Sequence, residues 1–147
     1  MATSPTPKAA RREFRNIHIS DIATYRLPIS GYVSILHRVS GAVMFAFLPF
    51  LIWLFDKSVT SEMSFEHFTA LFNGQLVSWL PGWLVKLVVL GLVWCLLHHI
   101  CAGLRHIIMD THHNTVAKGF GKTSALAVLA ISLTLTAALG AKLFGLY

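Results

Sequence analysis

Charge is what this sequence has least of. Only 12% of its 147 residues are Asp, Glu, Lys or Arg, against about 25% in soluble domains. Hydrophobic residues reach 55% and the mean hydropathy is +0.65, which excludes an ordinary soluble domain and points to an integral membrane protein. Acidic residues are the rarer sign, 6 against 12 basic, for a net charge of +6. That excess is no nucleic-acid footprint. The basic residues stand at the ends of apolar runs, with no patch interleaved with aromatics, so no nucleic-acid partner is expected. Cysteine is limited to Cys95 and Cys101. Six apart in one apolar run, they fall on different faces of a helix and read as small buried hydrophobes, not as a disulfide or metal pair. No G-x-G-x-x-G and no C-x-x-C array occurs, so any FAD, NAD or iron–sulfur centre must belong to another chain.

What is present in quantity is apolar sequence. Three runs are long enough to cross a bilayer, which takes about 20 helical residues. They are 32–55, 83–109 and 123–146. Backbone groups in lipid must pair internally, so each is read as a helix, and the chain as an all-α, three-span membrane domain over 31–147. Residues 1–30 read as a polar, partly disordered arm rather than a signal peptide, because no apolar h-region follows its basic region within reach. Lys8, Arg11, Arg12, Arg15 and Arg26 precede the first span, and Lys118 and Lys122 lie between the second and third. The first-to-second loop holds Asp56, Lys57, Glu62 and Glu66 and has room for a short surface helix; its His67 reads as solvated. The excess of Lys and Arg puts the N-terminus in the cytoplasm and the C-terminus outside. Trp79 and Trp83 are placed like interfacial anchors at the entry of the second span.

Two clusters of titratable groups interrupt the apolar runs. In span two, His99, Gly103, His106 and Asp110 recur at i, i+4, i+7 and i+11 and share one helix face; His98 and Arg105 share a neighbouring one. His99 falls near mid-bilayer. A histidine there, with a glycine one turn on, suits ligation of a flat haem whose propionates would meet Arg105 and His106. Spacing alone leaves two other readings open, a hydrogen-bonded packing histidine and a proton relay or transporter site. At the start of span one, Ser34, His37, Arg38 and Gly41 recur at i, i+3, i+4 and i+7. A hydroxyl and a cation at the hydrocarbon edge could hold a carbonyl-bearing amphiphile, or the arginine could simply snorkel to lipid phosphate.

The two motifs together carry a resemblance. "SILHRVSG", Ser34 to Gly41, followed by "HICAGLRHIIMD", His99 to Asp110, resembles the cytochrome b membrane-anchor (C) subunit of succinate dehydrogenase, from about Asp21 to the end. The segment before the serine reads "LPISGY", where many members have an "SPH" version. The resemblance implies a haem b shared with a second anchor (D) subunit, with His99 as one axial iron ligand and the partner supplying the other. It implies that Ser34 and Arg38 line a ubiquinone pocket and that His37 and His106 lie near the haem propionates. Of the paired His98 and His99, Gly103 selects His99, four residues before it. A flavoprotein with FAD and an iron–sulfur subunit would dock on the cytoplasmic face of a bacterial inner membrane. The chain would then belong to a succinate:quinone oxidoreductase, anchoring it and carrying no succinate chemistry. A fumarate reductase anchor or other quinone-linked cytochrome b, and a small proton-coupled transporter, are the rival readings.

Overall fold

A computed structural model describes residues 18–76, 79–112 and 118–146. Described residues form helices α1 (Ile19–Thr24), α2 (Ile29–Ala46), α3 (Leu48–Val59), α4 (Glu62–Phe72), α5 (Gly82–Thr111) and α6 (Lys118–Leu143), with no strand among them. Most of the N-terminal arm, residues 1–17, lies outside the described residues.

α5 and α6 are each long and apolar enough to cross a membrane. The first apolar run is not one straight helix. α2 and α3 meet at Phe47 with a bend of 58°, and together they make the third span. Pro49, in the first turn of α3, explains the break. It has no N–H to give the carbonyl four residues back, and its ring crowds that carbonyl. The helical register resumes at once, since the Leu51 amide donates to the Phe47 carbonyl at 3.0 Å.

After α3 the chain turns back through α4, the short helix expected in the first loop. Ser61 and Ser64 cap it reciprocally, with amide-to-hydroxyl bonds of 2.9 and 3.2 Å. α4 packs on α3 and α5. Where its end meets the start of α5, Gly74 takes φ +72° and Gly82 lies against the Phe72 carbonyl, so close that a Cβ would overlap it. Glycine is required at both places. Trp79 and Trp83 stand 80% and 59% exposed beside this turn, as interfacial anchors should.

α5 is the central helix, flanked by α2 and α6, which also touch each other. Their common core is Val33, Ala102, Ala125 and Val128, mostly small residues that let the backbones approach. Gly140 of α6 does the same beneath Leu90. Cys95 is buried, Cys101 half-buried, and both are free thiols. Only 22% of the most apolar window of α5, and the same share of α6, is buried within the chain. The remainder is apolar surface suited to lipid or to other membrane helices. The chain is an all-helical membrane protein.

Candidate functional site

α2 crosses α5 at the two motifs. Ser34, His37, Arg38 and Gly41 follow one another along one side of α2, but each 100° step of the helix turns them differently. His37 and Gly41 face α5. Ser34 is half-buried on the adjoining flank, and Arg38 is exposed beyond it. From α5, His99 and His106 face His37. The His37 and His99 rings stack with centroids 4.2 Å apart and planes 23° apart. The His106 ring lies 5.3 Å from that of His37.

The hydrogen bonds of His99 settle its tautomer. Its Nδ1 lies 3.0 Å from the main-chain carbonyl oxygen of His37 and 3.3 Å from Ser40 Oγ. A carbonyl only accepts, so Nδ1 is the donor, and in the neutral ring Nε2 keeps its lone pair. Ser40 donates its own hydroxyl to the same carbonyl at 2.8 Å. Gly41 makes this approach possible. A Cβ there would stand 2.8 Å from His99 Cε1 and 3.3 Å from Nδ1. Histidines that bind metal characteristically give their other ring N–H to a carbonyl or carboxylate, which fixes the ring and raises its basicity. His99 has that arrangement, and its free Nε2 fits a residue that could hold a haem iron. Ser40 was legible in the sequence only as part of the motif, with no role attached; its signal is its position one turn after His37.

Gly103 presents its bare face to His37, whose Nε2 would lie 3.5 Å from a Cβ placed there. His98, next in sequence to His99, is turned about 100° from it around α5. It is fully buried, its ring 5.3 Å from that of Trp94. Neither of its ring nitrogens makes a hydrogen bond of regular geometry; the Val33 backbone is the polar group it leans on.

Arg105 is not brought to the histidines. It is 7% exposed on the side of α5 that meets α6. Nε donates to Ser124 Oγ at 2.9 Å and Nη2 to the Gly121 carbonyl at 3.3 Å. One residue of rotation, about 100°, separates it from His106 and accounts for the difference. Asp110 is exposed near the end of α5. The site is therefore His37, His99 and His106 across the α2–α5 crossing, with Ser40 and Gly41 beneath His99 and with Ser34 and Arg38 on the outer flank.

The family model of the succinate dehydrogenase/fumarate reductase transmembrane subunit matches residues 15–139. The chain is 33% identical over 90 residues to a succinate dehydrogenase cytochrome b556 subunit of Coxiella burnetii, covering 61% of this chain and 66% of the relative. It is 29% identical over 115 residues to the subunit of the same name from Paracoccus denitrificans, covering 78% and 81%. The mitochondrial succinate dehydrogenase cytochrome B subunit of Schizosaccharomyces pombe is 27% identical over 131 residues, covering 89% and 71%.

Proposed function

Because the chain belongs to the succinate dehydrogenase/fumarate reductase transmembrane subunit family, we propose that it is the cytochrome b anchor of a succinate:quinone oxidoreductase, holding haem b and half of a ubiquinone site. The observation that carries this reading is the His99 imidazole. Its Nδ1–H is tied to the His37 carbonyl and its Nε2 is left as a ligand atom. The family and the relatives' names support the anchor role, and their naming as cytochromes supports the haem.

In this reading His99 would hold the haem iron together with a histidine of a second anchor subunit. His37 and His106, on the same side of the crossing, are the groups for the propionates. Gly103 keeps the wall of α5 low beside them. Arg105, committed to α6, takes no part. Haem b, when bound, supplies a one-electron redox centre in the membrane. Ser34 donates a hydrogen bond to a quinone carbonyl, and Arg38, exposed one turn on, stabilises negative charge developing on the quinone oxygen. FAD and the iron–sulfur clusters reside in the flavoprotein and iron–sulfur partners, where succinate is oxidised. Those partners dock on the cytoplasmic side of a bacterial inner membrane, the side of the polar arm and of Lys118 and Lys122. The C-terminus is then periplasmic. The relatives named are succinate dehydrogenases, which favours succinate oxidation over the fumarate reductase direction that the family also includes.

The test is a dithionite-reduced minus oxidised visible spectrum of the purified complex, wild type beside His99→Ala. A sharp b-type α-band in the wild type, lost or strongly altered in the variant, is expected. A folded wild-type complex without that band would sink the cytochrome reading.

A further inference from the structure

Among the described residues Arg105 is the one buried cation that the proposed chemistry leaves unused. The residue is 7% exposed, and its hydrogen-bond acceptors, Ser124 Oγ and the Gly121 carbonyl, are both neutral. Among the described residues the only ion pair is Lys57–Asp56, far along the chain from Arg105. A buried charge without a counter-ion is costly, and the remaining N–H donors of the guanidinium are unspent. Lys122 adds a second positive charge, next in sequence to Gly121. Asp21, before α2, and Asp110, near the end of α5, are both exposed.

Beside Arg105 an almost wholly apolar groove of about 200 Å³ runs between α5 and α6. One end lies between Ile108 and Phe120, the other between Cys101 and Ile131. From Phe120 to Ile131 is about 16 Å along the helix at 1.5 Å per residue. That is about half of a 30 Å hydrocarbon core, the depth of one leaflet. The 30 residues of α5 make a rod of about 45 Å, so a centred α5 overhangs the hydrocarbon by about 7 Å at each end. Arg105 stands about 9 Å from the end at Thr111, which puts its guanidinium where phosphates meet acyl chains.

The geometry points to a bound anionic phospholipid: one acyl chain in the α5–α6 groove, its phosphate paired with Arg105 and its net charge met by Lys122. A phosphate at the groove mouth provides a counter-ion that the described residues do not, and charge-assisted bonds from a guanidinium to phosphate are strong. The inference does not depend on haem or quinone.

The test is native mass spectrometry of the detergent-purified complex titrated with phosphatidylglycerol and, separately, phosphatidylcholine. Wild type should retain phosphatidylglycerol in preference. Arg105→Gln should lower that affinity about fivefold. Ala127→Trp, which fills the groove and leaves Arg105 in place, should abolish retention; it decides the matter alone if Arg105→Gln does not assemble. Unchanged retention in an assembled variant, or equal retention of the two lipids by wild type, overturns the proposal. So does loss of a partner subunit in place of lipid, which would make the groove a protein interface.

Discussion

His99 Nδ1 and the main-chain oxygen of His37 are 3.0 Å apart, across 62 residues of sequence. The bond joins a side chain of α5 to the backbone of α2, so anything that displaces α2 turns the imidazole. Substitution of the ring removes the proposed ligand atom itself. The His99→Ala complex should assemble with haem b absent or bound with a changed spectrum, read from the α-band and from haem per mole of protein.

Gly41→Ala tests the packing beneath that ring. The new methyl group would meet His99 Cε1 at 2.8 Å, a distance at which the imidazole must rotate. Overpacking of this kind costs about 1–3 kcal/mol. The expected result is a lower melting temperature together with reduced haem content or an altered low-spin electron paramagnetic resonance signal. Gly91→Ala is the control, because a Cβ there meets nothing within 4 Å. Alanine's better helix propensity should leave it neutral or stabilised by up to about 1 kcal/mol.

Ser40→Ala removes a hydroxyl that donates to the His37 carbonyl at 2.8 Å and faces His99 Nδ1 at 3.3 Å. Ser40 is 1% exposed, yet its partners keep each other, so the loss should be about 0.5–1.5 kcal/mol. Haem should still bind, since the carbonyl continues to hold the imidazole. A shifted midpoint potential with normal haem content is the expected signature, measured by redox titration of the α-band. Loss of haem would mean that Ser40, and not the carbonyl, fixes the ring.

Arg38 is exposed and is drawn into no hydrogen bond or ion pair among the described contacts. Arg38→Ala should leave the fold intact. It should lower ubiquinone reductase activity while dye-linked succinate oxidation by the assembled complex stays near wild type. Equal rates with quinone in both proteins would remove Arg38 from the quinone site.

Gly82→Ala addresses the fold rather than the chemistry. Its Cβ would overlap the Phe72 carbonyl, and 2.7 Å away stands the Gly74 amide nitrogen. Both neighbours are backbone and cannot swing aside. The turn between α4 and α5 should open, seen as faster proteolysis there.

Much of this was readable in one dimension. Apolar runs of about 20 residues dictate helices in lipid whatever their neighbours do, so the spans, the loop helix and the interfacial tryptophans follow from the order of residues. The stripe of His99, Gly103 and His106 follows from helical periodicity. The bend at Phe47 was also written in the sequence, as Pro49 in the middle of an apolar run. Length and hydropathy do not register it, because a proline changes the direction of a helix without changing its apolar character.

Periodicity says which residues share a face and leaves open what the face meets. Arg105 and His106 are neighbours in sequence. Yet one is bonded to Ser124 and Gly121 of α6 and the other lies against His37 of α2. Two helices packed on different faces of α5 made that division, through small residues at Ala102, Ala125 and Gly41 that set how closely each could approach. The sequence by itself determined a three-span helical membrane protein with histidines at the middle of one span. Which nitrogen of His99 is left free, and which cation is withheld from it, was decided by contacts between residues far apart in the chain, and only the tertiary structure contains those.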